Sequence, residues 1–210
     1  NIFYKNSDQL FWDNPYVILN KAGLKIGVIG LHGRFAFYDT INFKMIEAIE
    51  TRDEVYYLKK YIAELKPITD IIILSIHGGM PGRQSSIGLS DVERSLYADI
   101  MLAKEVSDLD IIITGHAHTG TPQALISNDT IIVSTNAYTS ELGELQIFFD
   151  TEKKEIVSHK NKLIQVFDDE IKDDPSMLKE IIKWQNKVEV IASKPITQST
   201  NKMERAYGSE

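Results

Sequence analysis

The 210-residue chain contains no cysteine. A Cys₄ or Cys₂His₂ zinc site, an iron–sulfur cluster and a thiol nucleophile are therefore excluded. It lacks a basic excess as well: 23 Lys and Arg stand against 30 Asp and Glu, a net charge of −7. With no basic stripe either, a general nucleic-acid polymer is not an expected partner. A phosphate site built on metal ions would not show in that sum. No apolar run approaches the ~18–20 residues of a membrane-spanning helix. Gly-x-Ser-x-Gly and a P-loop are missing, and Ser85 and Ser86 have no strand before them, which argues against a serine hydrolase. No repeat or low-complexity tract is seen. The chain opens at Asn1 without a Met or a signal-like segment and closes at Gly208-Ser209-Glu210, so it is expected to be a piece of something longer.

What is present is ordinary for a folded domain: 43% hydrophobic and 25% charged residues. A chain of this length can bury roughly 70% of its unfolded surface without staples. Pro15–Asn20 and Leu24–Leu31 read as a hairpin across Lys21-Ala22-Gly23. Asp53–Lys66 reads as a helix, with Val55, Leu58, Ile62 and Leu65 on one stripe and Pro67 as its stop. The runs 70–76 and 110–114 read as buried strands. Between them, Ser90-Asp91-Val92-Glu93 has the form of a capping box that opens a helix carrying Val92, Leu96, Ile100 and Ala103. That strand–helix–strand order predicts a parallel pair and an α/β fold. Residues 130–135, 142–150 and 155–163 read as antiparallel or mixed additions to the sheet. Asp174-Pro175 sets the start of a helix with Met177, Ile181, Trp184, Val188 and Ile191 on one face. The acidic cluster Asp168, Asp169, Glu170, Asp173 and Asp174 lacks EF-hand spacing and reads as a solvated loop before that helix rather than a calcium site. From Ser193 the chain turns polar, which suggests a boundary.

Three of the five histidines stand at the carboxyl ends of the buried strands, where open α/β sheets bind ligands: His77 after 71–76, then His116 and His118 after 111–114. Glycines flank all three, as irregular ligand loops require. Neutral imidazole is a common ligand of zinc, manganese and iron. A lone histidine after a strand is more often structural, but the pair Gly-His-Ala-His and His77 on neighbouring strands favours a metal. His32 is a fourth candidate. His159, in a polar strand, is expected on the surface. Asp39 and Asp91 exist, but nothing in their spacing marks them as bridging carboxylates, so three histidines are half of a dinuclear site. Arg83, in the loop 80–90, reads as an exposed arginine ahead of a phosphate contact.

At this point the residues resemble a known family. Asp70-Ile-Ile-Ile-Leu-Ser-Ile-His77-Gly78-Gly79, followed by Asp110-Ile-Ile-Ile-Thr-Gly115-His116-Ala-His118-Thr119, is similar to the calcineurin-like metallophosphoesterases. More narrowly it resembles their 5′-nucleotidase branch, with its UDP-sugar hydrolases and 2′,3′-cyclic-nucleotide phosphodiesterases. Lys25–Leu31 and Ile132–Gly143 resemble that branch too, and the likeness covers roughly residues 14 to 165. The resemblance implies the C-terminal part of a four-layer α/β/β/α sandwich. It makes 1–192 a metallophosphoesterase domain lacking its N-terminal part, and 193–210 a linker and the start of a C-terminal substrate-binding domain. It implies two divalent ions, zinc, manganese or similar, with His77 and His116 on one and His118 on the other. The family's Asp-x-His, bridging Asp and Gly-Asn-His motifs lie upstream of Asn1, so no residue here inherits the catalytic histidine, and the isolated chain is expected to be inactive or nearly so. The implied activity is metal-assisted hydrolysis of a nucleotide or nucleotide-sugar phosphoester, in a bacterial envelope location: periplasm, cell surface or medium. Cyclic-nucleotide phosphodiester cleavage or thiosulfohydrolysis on the same scaffold, and a non-catalytic metal-binding or interaction module, are the alternatives.

Overall fold

The computed structural model of the protein describes residues 1–78, 90–167 and 171–198. Loop residues 80–89, with Arg83, Ser85 and Ser86, lie outside them, as do Gly79, the first three acids of the 168–174 cluster and the tail from 199. The chain divides into two compact units, Asn1–Val166 and Phe167–Glu210.

The first unit is built on a six-stranded mixed sheet of β2 (Tyr16–Lys21), β3 (Leu24–His32), β5 (Ile71–His77), β6 (Ile111–Gly115), β7 (Leu125–Ser127) and β8 (Thr130–Val133). Their order is β2-β3-β5-β6-β8-β7. β3, β5, β6 and β8 run parallel, while β2 and β7 add antiparallel edges. The 2–3 hairpin turns through Ala22 and Gly23, both left-handed, as a tight primed turn demands. A short outlying sheet pairs β1 (Ile2–Tyr4) with β4 (Ile49–Thr51). The remaining helices of this unit are α1 (Arg34–Thr40), α2 (Glu54–Leu65), α3 (Asp91–Ser95) and α4 (Tyr97–Glu105).

Alternation along the parallel strands sends one set of side chains to each face. Ile29, Leu31, Ile72, Leu74, Ile76 and Ile112 pack against Leu58, Tyr61, Ile62 and Leu65 of α2 and Leu102 and Ala103 of α4. Ile71, Ile111, Ile131 and Val133 point the other way. They meet Leu145, Ile147, Phe149 and Ile156 from a long hairpin, β9 (Glu141–Asp150) with β10 (Glu155–Gln165). The result is helix, sheet and second β layer, three layers of an α/β sandwich among the described residues.

The predicted helix 53–66 is α2 with its caps: the Asp53 side chain accepts from the Tyr56 N–H, and Leu58, Ile62 and Leu65 are buried. The capping box is there too, with Ser90 and Glu93 bonded reciprocally. The helix it opens breaks at Leu96 into α3 and α4, with Leu96 itself fully buried. The strand at 130 joins the main sheet as a mixed addition, parallel to β6 and antiparallel to β7. One strand expectation needs correction: the strands at 142 and 155 form a sheet of their own rather than additions to the first. That departure depends on long-range pairing, which local alternation does not encode.

The two aspartates that precede the buried strands fasten each strand to its neighbour. Asp70 Oδ2 accepts the Lys25 N–H at 2.8 Å, and Asp110 Oδ2 accepts the Ile72 N–H at 2.7 Å. At the other end Gly33 and Gly78 meet backbone to backbone: a Cβ on Gly33 would stand 2.9 Å from Gly78 Cα. The second unit holds α5 (Pro175–Ala192), whose Asp174 side chain accepts from the Ser176 and Met177 N–H groups. Its apolar stripe, Met177, Ile181, Trp184, Val188 and Ile191, is exposed.

Gly33→Ala is expected to lower stability by about 1–3 kcal/mol in urea denaturation, because backbone cannot yield as a side chain would. Gly30→Ala, which meets nothing within 4 Å, should be near neutral in the same measurement.

Candidate metal centre

The parallel register sets His32 opposite His77, and His77 opposite Gly115. Three strand ends thus lie in one row, and His116 follows immediately. By alternation His32 and His77 share the sheet face that carries Ile71 and Ile73, away from the α-helices. The His32 and His77 ring centroids are 5.2 Å apart, as are those of His77 and His116. His77 ends β5 itself, and is exposed at the rim; His116 is half-buried and His118 exposed.

His116 and His118 both adopt left-handed backbone, with φ of 86° and 54°. Such residues are uncommon outside glycine, and they cluster at functional sites. The kink turns the chain back over the rim instead of continuing the strand. A second loop supports it: the Asn136 Oδ1 accepts the Gly120 N–H at 2.8 Å, and the Asn136 amide donates to Glu141 at 2.9 Å. The Tyr138 ring lies 5.5 Å from that of His118, and Phe35 packs 6.4 Å from His116.

Burial pushes the His77 imidazole below its ordinary pKa, and the neighbouring His32, His116 and His118 push the same way. His116 is lowered by burial and by His118, with the Asp39 carboxylate acting in the opposite direction. Both rings are thereby held neutral, the form that donates a lone pair. The His116 Nε2 is buried and has no hydrogen-bond partner, an open position for a metal ion. The His32 Nδ1 stands 3.1 Å from the Gly33 carbonyl. Among the described residues no three His, Asp or Glu side chains stand in coordinating geometry. The histidines are therefore a row of adjacent imidazoles at the rim, not a set of three ligands drawn together.

Of the sequence candidates, His77 and His116 are adjacent, His32 extends the row, and His118 lies near enough for its charge to act on both. His159 is half-buried rather than on the surface, because its register with Ile147 turns it toward the inner layer. Three contributors were missed. Asn1 clamps the His32 backbone, donating to its carbonyl at 2.9 Å and accepting its N–H at 2.9 Å. Asp99, 1% exposed, accepts from the Thr114 hydroxyl at 2.9 Å. Asp99 had a signal, since it sits three residues after Leu96 on an apolar helix face; Asn1 and Thr114 had none.

No profile of a known protein family matches the chain. It is 26% identical over 160 residues to the uncharacterized metallophosphoesterase YunD of Bacillus subtilis, covering 75% of this chain and 30% of that protein. It is 28% identical over 242 residues to a 5′-nucleotidase of Vibrio cholerae, covering 97% and 42%. The sulfate thiohydrolase SoxB of Thermus thermophilus has the same fold, with a TM-score of 0.70 at 17% identity over 90% of this chain and 31% of that one. The likeness is to the calcineurin-like metallophosphoesterases, in their 5′-nucleotidase branch. It spans about a third of the length of the curated relatives it matches.

Burial lifts the Asp99 carboxyl to about 6, against the Thr114 hydrogen bond, which lowers it. Between its ordinary pKa near 4 and that value, the folded chain keeps a proton that the unfolded chain has released. Stability therefore falls as pH rises through this window and levels off above it. Relative to Asp99→Asn, the wild type should lose on the order of 2 kcal/mol between about pH 4 and pH 6 in urea melts, and the two should run parallel above.

Proposed function

We propose that the chain supplies the imidazole side of a dinuclear metal centre that hydrolyses nucleotide phosphoesters. The single observation that carries this reading is the strand-end row of histidines, with the buried, unpartnered Nε2 of His116 at its end. His77 and His116 would share one ion and His118 would serve the other. When bound, two divalent ions, zinc, manganese or similar, would supply a hydroxide for in-line attack on phosphorus and offset the phosphate charge.

The chain's own residues have four tasks. His77 and His116, held neutral by burial and by the neighbouring imidazoles, present lone pairs without first releasing a proton at neutral pH. The left-handed turns at His116 and His118 aim two imidazoles from one short loop. Asn136 holds that loop to the next. Asn1 fixes the height of His32 beside His77. Three neutral imidazoles carry no charge to balance two dications, so on this reading carboxylate ligands would come from other segments of the protein, as would the catalytic histidine and a nucleoside-binding domain. A nucleotide or nucleotide-sugar substrate is supported by the likeness to the Vibrio cholerae 5′-nucleotidase. The SoxB match is a likeness of fold and supports no thiosulfohydrolase reading. No helix among the described residues is long and apolar enough to cross a membrane. A bacterial envelope location is part of the proposal, and the absence of cysteine is compatible with it without deciding it.

Calorimetric titration of the chain with Zn²⁺ or Mn²⁺ tests the reading. His77→Ala and His116→Ala should each weaken binding about tenfold or more, and His159→Ala should leave it unchanged. Equal affinity in all four proteins would overturn the assignment. Hydrolysis of adenosine monophosphate by this chain with added Mn²⁺ should stay near background; brisk turnover would show that the ligand count is wrong.

A further inference from the structure

Asp99 is the least expected residue near the rim. It lies in α4, on the face of the sheet opposite the His77 side chain, among Leu96, Ile100, Leu102 and Ala103. It is 1% exposed, and its Oδ2 has no hydrogen-bond partner. Its other oxygen accepts from Thr114 Oγ1 at 2.9 Å. The same Oδ1 lies beside Gly78, where a Cβ would stand 3.2 Å from it. Gly78 follows His77 and Thr114 precedes His116 by two residues. One carboxyl group is therefore bonded to the exit of β6 and lies beside that of β5, the two strands that carry the adjacent imidazoles.

Stability does not account for it. A buried carboxylate with one oxygen unsatisfied is costly, and replacing such a group by an apolar residue of similar size is often neutral or stabilising. Nor does ligation account for it, since the sheet lies between Asp99 and the His77 ring. We infer that Asp99 is a positioning residue: through Thr114 and Gly78 it fixes the separation of the ends of β5 and β6, and so the spacing of His77 and His116. The geometry stands by itself; its consequence for metal binding rests on the reading of those two histidines as ligands. Residues that orient ligands in this way typically change metal affinity about ten- to a hundredfold when replaced.

The test uses the metal-free chain with labelled histidine. The expected result is a ring-to-ring nuclear Overhauser contact between His77 and His116 in the wild type, lost or weakened in Asp99→Leu with shifted ring resonances. The melting temperature of that variant should equal or exceed the wild-type value. Thr114→Val, which breaks the same hydrogen bond from the other side, should reproduce the effect, and Thr114→Ser should restore the contact. Unchanged ring contacts and shifts in Asp99→Leu and Thr114→Val would overturn the inference. So would a loss of contact that simply follows a lowered melting temperature and is not restored by Thr114→Ser. Titration with Zn²⁺ should then show binding about ten- to a hundredfold weaker in Asp99→Leu; equal affinity despite displaced rings would overturn the consequence. If the wild type itself takes no Zn²⁺, the ligand assignment fails, while the ring contacts still decide the role of Asp99.

Discussion

The register of β3, β5 and β6 is the constraint from which the rest of the site follows. Pairing Ile29 with Leu74, and Leu74 with Ile112, buries all three under the helices. The same register aligns His32, His77 and Gly115 at the far end. Because side chains alternate, a slip of one residue would exchange the two faces, turning the histidines onto the helices and Leu74 onto the hairpin. Asp70 and Asp110 oppose such a slip from the start of the strands, each bonding a backbone N–H of the neighbouring strand. A rule applied at the amino-terminal edge thus determines what meets at the carboxyl-terminal rim. A cleft at that first edge, lined by Lys25, Lys66, Asp70, Asp108 and Asp110, is made of these anchors and the Lys66–Asp108 ion pair, and holds no histidine.

The two faces of the sheet divide the work. The helix face is apolar and tight, and carries most of the burial energy. The opposite face is covered by the hairpin only in part: Ile71, Ile111 and Val133 are buried, yet Ile113, two residues on, is 46% exposed. The histidines stand on this second face at its open end. Several departures from local preference stand at or beneath them: left-handed backbone at His116 and His118, a buried carboxyl at Asp99, an unpartnered nitrogen at His116. Each is unfavourable taken alone, and such departures concentrate where function rather than stability selects the residue.

The elements were largely legible in the sequence because their signals are local. The α2 stripe, the Ser90 box, the Asp174 cap and the apolar runs before His77 and His116 each report a short-range rule. The histidine row was legible for the same reason: two similar strands that end in similar residues bring those residues together once they pair in parallel. What was not legible depends on distant partners. Nothing within 141–165 says that its strands pair with each other over the sheet instead of joining it. His159 looked superficial for that reason, since its burial comes from the layer above Ile147. Asn1 acts on His32 across 31 positions and leaves no trace in its own neighbourhood. Asp99 is the instructive case: the charge on its apolar stripe was visible, but its meaning required Gly78 and Thr114 to be in place.

Imidazole and carboxylate differ in what they ask of a scaffold. Neutral imidazoles can sit 5.2 Å apart without repulsion, so a rim of histidines can fold without an ion. Carboxylates at the same spacing would repel or take up protons. On the proposed reading, the present chain holds the part of the centre that is stable when empty, and the charged part comes from elsewhere. Metal binding would then draw the segments together, because only the ions make the assembled ligand set electrically tolerable. The strands that set the imidazole spacing would form first, and the spacing itself would be fixed from beneath, on the dry face of the sheet, where the incoming charge does not disturb it.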